Sequence, residues 1–185
     1  MQRLHSLDPA DAPAKSAELL DELIGRRGPA GPMVTAMAHS PALLQGYLDF
    51  SRAMKRVKLS QALSEKVSLA LQEWIGCALC LDAHTHAALK AGLSETDVSL
   101  ARQGTSTDQR EAALMAYAVR VLAEPASIRD EDVAELREHG WSDRIIADTV
   151  GLVALNLLTG SFNLVAGLEP ASAEQSTKEK PAHVH

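Results

Sequence analysis

The chain has 185 residues, of which 46% are hydrophobic, and this suits one domain, or two halves that share one buried core. The formal net charge of -6 argues against a nucleic-acid-binding protein, because such proteins neutralise phosphates with basic side chains. Aromatic residues make up only 3%, so alanine, leucine and valine must fill the core, which favours helices over sheets.

The predicted elements are all helices, because apolar residues recur at every third or fourth position along almost the whole chain. The first amphipathic helix contains Leu19 to Ile24 and ends in the glycine- and proline-containing run 25–31. Ser40 and Pro41 predict the start of the next, since serine caps helices and proline fits their first turn. Further helices are predicted over residues 64–75, 77–91, 108–123, 130–139 and 142–166, and another after the capping Ser94.

The last of these helices is unusually apolar, since residues 149–168 carry no charge and are nearly long enough to cross a bilayer. The segment also contains Asn156 and Asn163, whose amides need hydrogen-bond partners in apolar surroundings. We therefore expect a helix buried in a bundle or at a subunit interface, and no membrane association. Self-association would cover its apolar area, which favours a homo-oligomer such as a trimer or a hexamer.

The ends of the chain and its cysteine content indicate where it works. Residues 1–8 lack the apolar run of a signal peptide. Two cysteines in so long a chain are typical of a reducing compartment and not of a secreted disulfide scaffold. We expect a cytoplasmic protein with one all-α domain over residues 1–168, followed by a polar and mobile tail over residues 169–185.

Both cysteines lie in the run CALCLDAH at residues 77–84. In a helix, offsets of three and four put Cys77, Cys80 and His84 on one face, where neighbours touch. A helix that restarts after Gly76 directs free N–H groups and the positive end of its dipole at the sulfurs, which stabilises a thiolate. His84 can take up or return a proton, and the second thiol can capture a sulfenic acid as a disulfide. The pattern therefore predicts a redox-active dithiol.

Two other interpretations of the same residues have different consequences. The cysteines could be small buried apolar residues beside a hydrogen-bonded histidine, with no chemistry. A metal site would need Cys77, Cys80, His84 and His86 as its four ligands. His86 lies two residues after His84, about 200° around the helix, so it should face away from the thiols. We therefore expect no metal.

Three further features stand in register with this motif: the run MVTAMAHSPAL at residues 33–43, the turn AGLS at residues 91–94, and Glu65, twelve residues before the first cysteine. With the CxxCxxxH core, they resemble the carboxymuconolactone decarboxylase-like superfamily, on its alkylhydroperoxidase D-like, peroxidase-related branch. The resemblance covers roughly residues 33–170. It implies an alkylhydroperoxidase D-like helical bundle with the CxxC on a helix.

The resemblance also implies an activity, that of a cofactor-free thiol oxidoreductase in antioxidant defence. Cys80 would be the peroxidatic cysteine, Cys77 the proton donor and resolving partner, and His84 with Glu65 the proton relay. The substrate would be a hydroperoxide or a disulfide, and an external dithiol of lipoyl or thioredoxin type would restore the thiols. The best-known peroxidases of this group have a histidine between the cysteines, where this chain has Leu79, so one relay member is missing.

Some alternatives remain open at this point. Taken alone, Glu65 is better interpreted as a solvated carboxylate in the first turn of a helix that starts at Ser64. Glu73 is a competing carboxylate, nearer in sequence to the cysteines. The same cysteines would also serve a non-catalytic redox sensor or a metal-binding regulator, and a decarboxylating enzyme on the same fold would not need them.

Overall fold

The structure is a computed structural model that describes residues 2–170. These residues form nine α-helices and one short 3-10 helix and contain no strand, so the all-α prediction is confirmed. Residues 171–185 of the predicted tail lie outside the described residues, so its predicted mobility stays a prediction. In chain order the helices are α1 Ala14–Arg27, α2 Pro32–Met37, α3 Pro41–Met54, α4 Gln61–Ile75, α5 Ala78–Lys90, α6 Glu95–Arg102, α7 Gln109–Ala123, α8 Asp130–Glu138 and α9 Asp143–Ala166, with the 3-10 helix Pro125–Ser127 between α7 and α8.

Helix α4 begins three residues earlier than the sequence analysis predicts. Ser60 and not Ser64 is the N-cap: its hydroxyl accepts the N–H of Leu63, and the N–H of Ser64 donates to the carbonyl of Ser60 within the first turn. Either serine could cap a helix, and the three residues after Ser60 are compatible with helix, so the earlier cap is used. Glu65 consequently lies in the second turn, where it is no longer one of the exposed residues at the helix start.

Helix α4 is the central helix of the larger core. It contacts α5, α6, α7 and α9, and its inward faces bury a nearly continuous run of side chains. The apolar cluster around it includes Val67, Leu69, Leu114 and Met115, each fully buried. A smaller cluster joins α1, α2 and α3 to the N-terminal segment. The helix that carries Glu65 is therefore held on several sides, which gives that carboxylate a defined position.

Helix α9 crosses α4 at close range. A side chain at Gly160 would bring its Cβ to within 2.6 Å of the Gln72 side-chain oxygen, so the absence of a side chain permits this approach. The amide of Gln72 donates to both the carbonyl and the side-chain oxygen of Asn156, at 3.0 and 2.8 Å. Asn156 in turn donates to Ser68 at 3.2 Å. Asn156 of the apolar helix thus finds hydrogen-bond partners on α4, in agreement with the expectation that its amide is hydrogen-bonded.

The two sides of α9 differ. By length and composition alone this helix is able to cross a membrane, but core helices of soluble proteins pass the same test, so the property is weak evidence for a span. One side is buried against the bundle through Asn156 and Asn163. The opposite side is exposed and uncharged along a stripe with alternating three- and four-residue spacing, formed by Ala147, Val150, Ala154, Leu157, Ser161 and Leu164.

Candidate active site

The two cysteines lie at the junction of α4 and α5. Gly76 ends α4 with a positive φ of 79°, a left-handed conformation that glycine adopts without a Cβ clash. Cys77 follows as the N-cap of α5, and its Sγ accepts the N–H of Cys80 at 3.3 Å. The predicted restart of the helix at the cysteines is therefore confirmed. The sulfur of Cys77 is placed at the positive end of the helix dipole, where a thiolate is stabilised.

Cys77 and Cys80 form a disulfide, with their Cα atoms 5.3 Å apart. Both residues are buried, with exposed fractions of 1% for Cys77 and 6% for Cys80. Cys80 lines the large cavity beside the site, whereas Cys77 does not. Of the two cysteines, Cys80 is the one that borders the space open to a small molecule.

His84 and Glu65 form a hydrogen-bonded pair beside the disulfide. The Nδ1 atom of His84 lies 2.8 Å from Glu65 Oε2, and both residues line the same cavity as Cys80. Because a carboxylate only accepts, Nδ1 carries the hydrogen, and Nε2 is left without a partner among residues 2–170. This second nitrogen is able to exchange a proton with a bound molecule. The structure thus brings together all four residues singled out in the sequence.

One residue at the site was not expected there. Asn163 of α9 donates from Nδ2 to Cys80 Sγ at 3.3 Å and lies 4.0 Å from Cys77 Sγ. The apolar surroundings of Asn163 in the sequence predict that its amide is hydrogen-bonded but not to which group, because 83 residues separate it from Cys80. The sequence does contain a signal for its position. Asn163 follows Asn156 by seven residues, so both amides lie on the same side of the uncharged segment 149–168.

The cavity has a volume of about 800 Å³ and lies between α2, α3, α4, α5 and α9. Cys80, His84, Glu65 and Asn163 lie together in its wall. Tyr47 of α3 also lines the cavity, and burial raises the pKa of its hydroxyl above the usual value. Most of the remaining wall is apolar, including Met33, Val34, Met54, Leu79, Leu152 and Leu155.

His86, the fourth candidate metal ligand, is well exposed, and its Nδ1 lies 2.9 Å from the carbonyl oxygen of Asp82. This agrees with the helical phase that directs it away from the thiols. Among residues 2–170, no three or more histidine, cysteine, aspartate or glutamate side chains lie together so as to hold a metal ion. Glu73, the competing carboxylate, is ion-paired with Arg102 at 2.7 Å. It does not line the cavity.

A known protein family matches the central part of this chain, and several solved structures share its fold. Residues 41–124 match the Carboxymuconolactone decarboxylase family, and this range contains Glu65, both cysteines and His84. No curated protein matches the chain significantly.

Three solved structures illustrate the shared fold. A peroxidase-related protein with an alkylhydroperoxidase AhpD core from Ralstonia eutropha JMP134 has 19% identity and a TM-score of 0.76, over 94% of this chain and 95% of that one. A peroxidase-related protein from Silicibacter sp. TM1040 has 19% identity and a TM-score of 0.76, over 93% and 94%. The debrominase Bmp8 has 17% identity and a TM-score of 0.71, over 95% and 96%.

The family match covers the segment that carries the dithiol, and the fold extends over nearly the whole chain. The chain carries a match to the Carboxymuconolactone decarboxylase family over residues 41–124 and has the fold of alkylhydroperoxidase D-like, peroxidase-related proteins.

Proposed function

We propose that the protein is a cofactor-free thiol oxidoreductase that reduces organic hydroperoxides and cycles a disulfide between Cys77 and Cys80. The observation that carries this proposal is the position of Cys80 in the wall of the cavity, beside the His84–Glu65 pair. A volume of about 800 Å³ is within the range of small-molecule sites and exceeds the needs of hydrogen peroxide. The apolar walls favour a substrate with an alkyl or aryl group.

In the first step, the thiol of Cys80 gives its proton to Nε2 of His84, and the resulting thiolate attacks one oxygen of the hydroperoxide. The O–O bond breaks, the sulfur becomes a sulfenic acid, and the second oxygen takes the proton from His84 and leaves as an alcohol. Glu65 accepts the hydrogen bond from Nδ1, which orients the ring and stabilises the transient imidazolium. Leu79 contributes apolar wall and no proton, so the relay consists of one histidine.

In the second step, the thiolate of Cys77 attacks the sulfenic sulfur of Cys80, a disulfide forms, and the oxygen leaves as water after protonation. An external dithiol of lipoyl or thioredoxin type then attacks the sulfur of Cys80, the cysteine that lines the cavity. Cys77 leaves as a thiolate, and its N-cap position stabilises that leaving group. The second thiol of the reductant releases the mixed disulfide and restores both cysteines.

The test is hydroperoxide consumption by the purified protein with dihydrolipoamide as the dithiol. We expect a kcat/KM at least about tenfold higher for cumene hydroperoxide than for hydrogen peroxide, because the aryl group buries apolar area in the cavity. The proposal fails if the wild type consumes neither peroxide faster than the Cys80→Ser variant. Oxidation to the disulfide without turnover would instead indicate a redox sensor.

A different substrate is the main rival among enzymes of this fold. The debrominase Bmp8 was crystallised with 2,3,4-tribromopyrrole, so in that protein the fold accommodates an organic ring. We would therefore include this compound in the substrate panel. If the protein releases bromide from this compound in the presence of the dithiol and consumes no hydroperoxide, a debrominase function would replace the proposed peroxidase function. An activity that survives Cys80→Ser would point to decarboxylase-type chemistry.

We also propose that a second copy of the chain covers the exposed stripe of α9. Its alternating three- and four-residue spacing is that of a helix packed against another helix, and the absence of charge lets the stripes of neighbouring copies approach around a symmetry axis. We expect a mass of three or six chains by sedimentation velocity. Leu157→Glu should lower that mass by burying a charge in the contact, whereas Leu89→Glu, at an equally exposed position on α5, should not. A wild-type monomer would contradict the proposal.

A further inference from the structure

We propose that Asn163 is a further catalytic residue, whose amide N–H stabilises the thiolate of Cys80. This inference deepens the proposed function and rests on it only in requiring that Cys80 reacts as a thiolate. The contact that carries it is the 3.3 Å hydrogen bond from Asn163 Nδ2 to Cys80 Sγ. The donor lies on α9, and the acceptor sulfur belongs to Cys80 in the first turn of α5.

The orientation of the amide follows from what sulfur is able to do. A disulfide sulfur or a thiolate only accepts hydrogen bonds, so it is the nitrogen of the amide that faces Cys80. Asn163 is 4% exposed, and its side-chain oxygen has no hydrogen-bond partner within the described part of the chain. Within residues 2–170, the two sulfurs are the hydrogen-bond partners of this side chain. The amide is thus placed where its N–H serves the dithiol.

A buried cysteine needs such a donor. Burial in apolar surroundings disfavours the thiolate, and the N–H of Cys80 itself is directed at the sulfur of Cys77. An amide N–H supplies a hydrogen bond to the charged form without adding a titratable group.

The charged and titratable groups around Cys80 come from three elements. His84 faces the cavity from the same helix and Glu65 from α4, while Tyr47 lines it from α3 and Lys55 from the end of that helix. Helix α9 carries no charged residue beyond Asp148, so its contribution at this end is the neutral amide. The position between the cysteines is occupied by Leu79, which cannot donate. Asn163 therefore supplies polar support to Cys80 from outside the CxxC motif.

The test measures the rate at which iodoacetamide alkylates Cys80 in the reduced protein as a function of pH, with mass spectrometry to identify the modified residue. Asn163→Leu removes the donor, and Asn163→Asp keeps the size but places a negative charge beside the sulfur. We expect the midpoint of the profile to rise by about one to two pH units in the leucine variant and further in the aspartate variant.

Thr159→Val is the matched control, since Thr159 lies on the same helix and lines the same cavity but donates only to α9 carbonyls. Its midpoint should equal that of the wild type. Above the midpoint, alkylation of the leucine variant should match the wild type, whereas a merely structural defect would change it at every pH. Midpoints that stay unchanged in both Asn163 variants would overturn the inference. The assay contains no peroxide, so its outcome is separate from that of the proposed function.

Discussion

Cys80→Ser is expected to abolish dithiol-dependent hydroperoxide reduction, with a loss on the order of 10³-fold or more in kcat/KM, because the nucleophile is removed. Cys77→Ser is expected to retain the first chemical step, since Cys77 does not line the cavity and acts only after the sulfenic acid has formed. The two cysteines of one motif should thus have separable effects.

The separation is measured by exposing each reduced variant to one equivalent of hydroperoxide and then to dimedone, which traps sulfenic acids. Mass spectrometry should find the adduct on Cys80 in Cys77→Ser and no adduct in Cys80→Ser, while the wild type should form the Cys77–Cys80 disulfide. An adduct on Cys77 in the Cys80→Ser variant would reverse the assignment of the two cysteines, and it would mean that substrate reaches the sulfur behind the helix start.

Replacement of His84 is expected to have the second largest effect. His84→Gln should lower kcat/KM for the organic hydroperoxide by about 10²- to 10⁴-fold, because the alcohol would leave without a positioned proton donor. Glu65→Gln should cause a smaller loss: the amide is able to accept the Nδ1 hydrogen bond, but it does not stabilise the imidazolium by its charge. Initial rates across a range of pH would measure both effects.

Glu73→Gln is the matched control for Glu65→Gln. Both carboxylates lie on α4, but Glu73 is paired with Arg102 and does not line the cavity. It should leave the rate and the pH profile unchanged. An equal loss in the two glutamine variants would assign the effect to the stability or net charge of α4, and the relay role of Glu65 would be wrong.

The helices and the face shared by the cysteines could be predicted because they depend on neighbours in the chain. Cys77, Cys80 and His84 share a face because residues three and four positions apart are neighbours on the surface of any helix. The start of α4 was predicted three residues late, since the pattern contains two serines that are able to cap and only the packed helix distinguishes them. That difference decides whether Glu65 is exposed at the helix start or partly buried in its second turn.

Glu65 could be connected with His84 only through the family pattern, because 19 residues and a helix break separate the two side chains. No local rule relates them, and the same rules leave Glu73 as an equal candidate. The packing of α5 against α4 brings the imidazole to the carboxylate of Glu65, while Arg102 of α6 pairs with Glu73.

The sequence by itself therefore determined the helical class, the dithiol at a helix start and the histidine one turn beyond it, since each follows from periodicity, capping and spacing within a few residues. Only the tertiary structure decided that Cys80 and not Cys77 lines a cavity, that Asn163 contacts its sulfur, and that one stripe of α9 is left uncovered. These properties depend on contacts between helices more than 80 residues apart, and on the volume left between them, which no short-range pattern encodes.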